Sequence, residues 1–95
     1  MKKGYTYIIT NKYNRVLYIG VTSDLIKRIW QYKKGFVSGF SKRYNLHKLV
    51  YFETYDSIEY AISREKQLKD GSRKKKEELI YKDNPNWKDL YDTIV

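Results

Sequence analysis

Two short β-forming runs, Tyr5–Thr10 and Arg15–Val21, lie four polar residues apart near the start of the chain. Both are rich in β-branched and aromatic residues, and Asn11-Lys12-Tyr13-Asn14 between them reads as a turn. The pattern specifies an antiparallel hairpin. With that turn as the loop, Thr10 opposes Arg15, and counting back along the ladder sets Tyr7 opposite Tyr18. Opposed side chains share a face about 5 Å apart at Cβ, so two phenols are expected side by side. Gly20 interrupts the second strand, where glycine signals a bulge or a close approach by backbone or ligand.

Thr22-Ser23-Asp24 is a helix-start signal for the run 25–34. Leu25, Ile29 and Tyr32 form one stripe by their i, i+4, i+7 spacing. Arg28 borders that stripe. Its stem can lie on the core with the head in water, or its guanidinium can be aimed at a phosphate near the two tyrosines. Residues 35–45, GFVSGFSKRYN, read as a loop with a short helical turn. Phe36, Phe40 and Tyr44 can stack on bases beside Lys42 and Arg43, or pin the loop to the core. A third strand is expected over Lys48–Tyr55.

Ser57 reads as the N-cap of a second long helix, with Ile58, Ala61, Ile62 and Leu68 on one stripe. Glu65 falls within that stripe. A carboxylate there needs a partner or a metal, and Arg28 is the partner the sequence offers. Gly71 suits a left-handed C-cap, and Ser72 caps a further helix over 73–82. Its Arg73–Lys76 run can track a phosphate backbone or face solvent. Asn84-Pro85-Asn86 makes a turn, and a short final helix over 87–91 docks Trp87 and Leu90 on the core.

Charge narrows the choice of partners. Residues 1–47 hold ten Lys/Arg against one acid, Asp24, whereas residues 48–95 hold ten of each sign. All of the net +9 therefore falls on the half that carries the hairpin and first helix. This asymmetry points to a polyanion, nucleic acid ahead of an anionic membrane surface. Cysteine is absent and His47 is the only histidine, which argues against a zinc site. No apolar run approaches a membrane span, and the start of the chain lacks a signal-peptide core. A cytoplasmic protein of one domain over 1–95 is expected, with no membrane partner, as a monomer or weak dimer.

The chain resembles the GIY-YIG nuclease superfamily, and specifically its small single-domain bacterial branch. The matching segments are YTY at 5–7, LYIGVTSDLIKR at 17–28, KLVYFE at 48–53, AISREKQLK at 61–69 and NPNWKDLY at 84–91. Each is weak alone; their order and spacing together are specific. The resemblance implies an α+β fold, a three-stranded antiparallel sheet flanked by helices. It implies a single-metal phosphodiesterase site. Tyr7 matches the tyrosine closing the first motif, and Tyr18 and Gly20 match the ends of the second. Arg28 matches the arginine of the following helix, Glu65 the metal-binding glutamate and Asn84 a late asparagine. Tyr5 and Thr6 replace glycine and isoleucine of the first motif. Tyr32 stands where many members carry a histidine.

The activity so implied is metal-dependent endonucleolytic hydrolysis, on DNA with RNA as the alternative, in repair or recombination. Glu65 would hold one Mg²⁺ or Mn²⁺, since Mg²⁺ keeps several waters and binds substrate phosphate directly. Arg28 would grip a nonbridging oxygen. Tyr7 or Tyr18 would deprotonate the attacking water, with Tyr7 preferred; a tyrosine base needs cations nearby to bring its pKa down from about 10. Gly20, Tyr32, Lys42, Arg43 and Asn84 would contact substrate. Two other readings carry weight: a nucleic-acid-binding module that cleaves poorly or not at all, and a small protein-interaction domain with a basic face.

Overall fold

The computed structural model describes residues 3–37 and 39–95. Met1, Lys2 and Ser38 lie outside the described residues. Strands β1 (Gly4–Thr10), β2 (Leu17–Thr22) and β3 (Lys48–Tyr55) form one antiparallel sheet in the order β2-β1-β3. Helices α1 (Leu25–Lys33) and α2 (Phe40–Arg43) separate β2 from β3, and α3 (Ile58–Asp70), α4 (Arg73–Asp83) and α5 (Tyr91–Ile94) follow. The α+β architecture is the expected one.

Alternation along β1 divides the core in two. Tyr7 and Ile9 point to one face, where Leu25, Ile29 and Tyr32 of α1 close over them together with Leu46 and Leu49. Ile8 points to the other, joining Ile19, Val50, Tyr51, Leu68 of α3, Ile80 of α4 and Trp87. Both faces of the central strand are thus covered, which explains its near-continuous apolar character. Thr6 fits this interior because its hydroxyl donates to the Ala61 carbonyl of α3 at 2.7 Å.

The hairpin register differs from the expected one by two residues. Thr10 pairs with Leu17, Ile9 with Tyr18 and Tyr7 with Gly20. The cause is Asn11, whose side-chain oxygen accepts from the backbone N–H of Arg15 at 2.8 Å and of Val16 at 3.4 Å. That lengthens the loop and removes Arg15 from the ladder. A shift of two preserves the face of every side chain, so Tyr7 and Tyr18 stay on the α1 side as diagonal neighbours. On the other flank β3 carries a bulge, since Ile8 pairs with Tyr51 and Ile9 with Leu49, leaving Val50 unpaired.

Helix starts follow the sequence. Asp24, Ser57 and Ser72 each accept a first-turn N–H with their side chains. Two ends do not. Gly71 is extended (φ −79°, ψ 161°) instead of left-handed, because the chain passes directly into the Ser72 cap. The last helix begins at Tyr91, not at Trp87; Trp87 itself has φ +53° and turns the chain so that its ring packs beside Ile80. Leu90 docks on the opposite cluster, where its N–H reaches the Leu49 carbonyl at 2.7 Å. Among the described residues no helix is long and apolar enough to cross a membrane.

Candidate active site

The motif tyrosines sit where β1, β2 and α1 meet. Tyr7 is 2% exposed, and its hydroxyl lies 2.8 Å from that of Tyr32 in one hydrogen bond. Their rings meet edge to face at 6.0 Å. Burial pushes the Tyr7 phenol well above its ordinary range, and the neighbouring Tyr32 phenol adds to this; the Arg28 guanidinium pulls the other way but does not win. Tyr32 is raised too, first by burial and with Tyr18 contributing, against the lowering effects of Tyr7 and Arg28. Tyr7, Tyr18, Tyr32 and Arg28 are therefore near enough to act on one another. The Arg28 guanidinium makes no hydrogen bond or ion pair among the described residues, and it lines a polar cleft with Thr22, Ser23, Asp24, Lys27 and Gln31.

The expected Arg28–Glu65 ion pair is not formed. Glu65 instead faces Lys69, one helical turn on, at 3.5 Å. Lys69 in turn lies 6.0 Å from the centre of the Tyr18 ring. Helix α3 packs along all three strands, and Lys69 links the Glu65 carboxylate to the neighbourhood of the Tyr18 ring. The Glu65 side chain is 17% exposed and has this one loose partner among the described residues, which leaves carboxylate lone pairs for a hard cation. No group of three or more His, Cys, Asp or Glu converges among the described residues. A lone carboxylate would fit a hard divalent cation that kept water and phosphate oxygens at its other positions, and does not make a closed protein cage.

Gly20 is used by Tyr7. A Cβ at Gly20 would overlap the ring and hydroxyl of Tyr7 directly opposite, so the close approach anticipated from the sequence comes from a side chain and involves no bulge. Lys42 and Arg43 are exposed on α2, where Arg43 stands 5.5 Å from the Tyr44 ring. Phe40 links this helix to the site, 5.9 Å from Tyr18 and 4.6 Å from Tyr44.

Asn84 departs from its expected role. It is 5% exposed. Both amide hydrogens are committed, to the carbonyls of Val50 at 3.1 Å and Lys88 at 2.8 Å, and its oxygen accepts from the Lys88 N–H at 3.0 Å. With its donors spent on the β3 bulge and the following turn, Asn84 is a clamp of the fold. The amide donors that a substrate contact would use are thus engaged within the fold. His47 accordingly has a local role, with Nδ1 2.9 Å from the Asn45 carbonyl oxygen.

Sequence reasoning missed a second polar centre. Glu53 accepts from Arg64 through two nitrogens, at 2.9 and 3.2 Å, and from the hydroxyls of Tyr51 and Tyr55. Burial alone would raise the Glu53 pKa, but these four donors outweigh it and hold the carboxyl below its usual range. Burial first, and then the Glu53 carboxylate, push the Tyr51 and Tyr55 phenols up against the opposing effect of Arg64. The available signal was Tyr51, Glu53 and Tyr55 at period two, one face of a strand.

With this arrangement in view, the family model of the GIY-YIG catalytic domain matches residues 3–78, and the chain belongs to the GIY-YIG family. Within it, the chain is similar to the UPF0213 protein of Staphylococcus saprophyticus, 38% identical over 80 residues that cover 84% of this chain and 96% of that one. It is also similar to the UPF0213 protein of Syntrophus aciditrophicus, 36% identical over 86 residues, 90% and 97% of the two chains. The solution NMR structure of the UPF0213 protein of Bacillus halodurans superimposes with a TM-score of 0.57 at 28% identity, covering 93% of each chain. These names state a family and no activity. The GIY-YIG domain suggests nuclease activity and nucleic-acid binding.

Proposed function

We propose that this protein is a metal-dependent endonuclease that hydrolyses phosphodiester bonds of nucleic acid, DNA ahead of RNA. The observation that carries the reading is the geometry where β1, β2 and α1 meet: the Tyr7 and Tyr32 hydroxyls lie 2.8 Å apart, Tyr18 packs on the same face, and the nearby Arg28 guanidinium lines a polar cleft with no partner among the described residues. Phosphodiester hydrolysis needs an oriented water, charge stabilisation at phosphorus and help for the leaving oxygen. Arg28, with its donors free, grips a nonbridging oxygen. Glu65 would hold a Mg²⁺ or Mn²⁺ ion, which would supply Lewis-acid stabilisation of charge.

The tyrosines divide the remaining work. Tyr7 is neutral, buried and hydrogen-bonded, hence a poor proton acceptor. We therefore assign water activation to Tyr18, which is half-buried on the edge strand. Tyr7 and Tyr32 serve as a fixed pair of hydroxyls that orient the water, and its proton leaves through Tyr18 to solvent. Lys42 and Arg43 steer the strand to the site.

One observation favours a second reading, a nucleic-acid-binding module with little cleavage: Tyr32 replaces the histidine of many members and raises the Tyr7 pKa further. The test follows supercoiled plasmid and branched DNA with Mg²⁺ or Mn²⁺, comparing wild type with Glu65→Ala at matched purity. Metal-dependent cutting lost in the variant is the expected result. Binding without cutting by both proteins selects the module, and equal cutting by both removes Glu65 from the mechanism.

A further inference from the structure

Beside Tyr18 lies a cleft lined by Leu17, Tyr18, Ile19, Phe40, Lys69 and Lys76. Its floor is apolar and aromatic, and its two ammonium groups come from different helices, α3 and α4. Lys76 forms no ion pair among the described residues, and it also borders the groove between α3 and α4. Lys69 is 49% exposed and is engaged only loosely, at 3.5 Å from Glu65. Its position is unusual, because it touches the carboxylate on one side and stands near the Tyr18 ring on the other.

We propose that this cleft is a phosphate-binding subsite, and that Lys69 is held on Glu65 until a divalent cation takes the carboxylate, whereupon its ammonium turns to a backbone phosphate at Tyr18. The inference rests on the assignment of Glu65 as the cation ligand. The physical basis is competition. An ammonium and a divalent cation cannot share one carboxylate without repelling each other, and the nearest alternative anion is the substrate strand. Lys69 has a flexible four-carbon stem that permits the change of partner. Lys76, already free, marks where the same strand continues toward the α3–α4 groove. An ordinary i, i+4 pair would also place Lys69 near Glu65, but it would have no consequence for nucleic acid.

The two roles have opposite signs, and one substitution reads both. Mn²⁺ affinity of the free protein and affinity for a fluorescent DNA duplex are measured for wild type, Lys69→Gln, Lys69→Arg, Glu65→Gln and Lys74→Gln. Lys74, exposed on α4, lines neither the cleft nor the groove and removes the same charge. Lys69→Gln should bind Mn²⁺ about threefold tighter, the size expected for loss of a half-exposed competing charge. In Mn²⁺ it should bind DNA about three- to tenfold more weakly, with the salt slope smaller by about 1. Without metal the DNA loss should be smaller, and Lys69→Arg should restore DNA binding in either condition. Lys69→Gln indistinguishable from Lys74→Gln in both titrations, or weaker Mn²⁺ binding, overturns the exchange. If Glu65→Gln binds Mn²⁺ as wild type does, the metal assignment itself falls; if it loses Mn²⁺ while Lys69→Gln stays unchanged, only the exchange falls.

Discussion

Glu53 and Glu65 are equally withdrawn from solvent, with side chains 19% and 17% exposed, yet they are opposites in company. Glu53 has a forked arginine and two phenols, filling both oxygens. Glu65 has one ammonium at a distance longer than a good hydrogen bond. A carboxylate whose lone pairs are all used ties strand to helix and has nothing left to offer. One left short of partners is an opening for a cation. Burial alone therefore does not separate structural from functional acids here; the count of donors does.

The comparison breaks most sharply by neutralising each acid in turn. Glu65→Gln should lower cleavage by at least about 10²-fold, while stability moves by no more than about 0.5 kcal/mol, the worth of an i, i+4 pair. Glu53→Gln should do the reverse, costing about 2–3 kcal/mol in urea unfolding and leaving cleavage per folded molecule near wild type. The acid limb sharpens it. Because the Glu53 pKa is lowered in the fold, its contribution is complete above the ordinary value of 4.5 and is lost as pH falls below it. Glu53→Gln should flatten that limb. Equal stability losses for the two variants would erase the distinction.

A smaller effect tests the clamp. Asn84→Ala should destabilise by about 2 kcal/mol, since it strands the Val50 and Lys88 carbonyls, with DNA affinity unchanged. A selective loss of DNA affinity would return Asn84 to the site. Smaller still is Tyr32→Phe, which leaves the buried Tyr7 hydroxyl without its partner at a cost of about 1 kcal/mol. The phenols of Tyr7 and Tyr32 are raised in the fold, so their contribution is complete below pH about 10 and is lost as pH rises beyond it. Phenolate absorbance should show Tyr7 ionising only as the chain unfolds, in wild type and in Tyr32→Phe alike, because burial is the larger cause. Titration of all tyrosines near their ordinary value in folded protein would contradict the buried pair.

The fold was legible because its signals are local. Ser57 and Ser72 cap the helices they precede, β3 spans the expected Lys48–Tyr55, and alternation put Tyr7 and Tyr18 on one face. What escaped depends on side chains finding partners across the fold. Asn11 substitutes for ladder hydrogen bonds, and no propensity records that. Glu65 takes Lys69 in place of Arg28 because its own helix supplies a partner one turn away. Asn84 looked available because the Val50 bulge that consumes its amide is invisible until β3 is paired. The short final helix was misplaced because Trp87 adopts a left-handed backbone that its residue type does not advertise.

The space above Gly20 is shaped by the Tyr7 ring that fills it. The first and second motifs, read along the chain as two separate signatures, are at this point a single contact. A side chain at position 20 would have to be accompanied by a smaller residue at position 7, and the hydroxyl that meets Tyr32 would go with it. Substitution at these two positions is thus coupled by sterics alone, before any demand of catalysis, and a relative that changes one should be found to have changed the other.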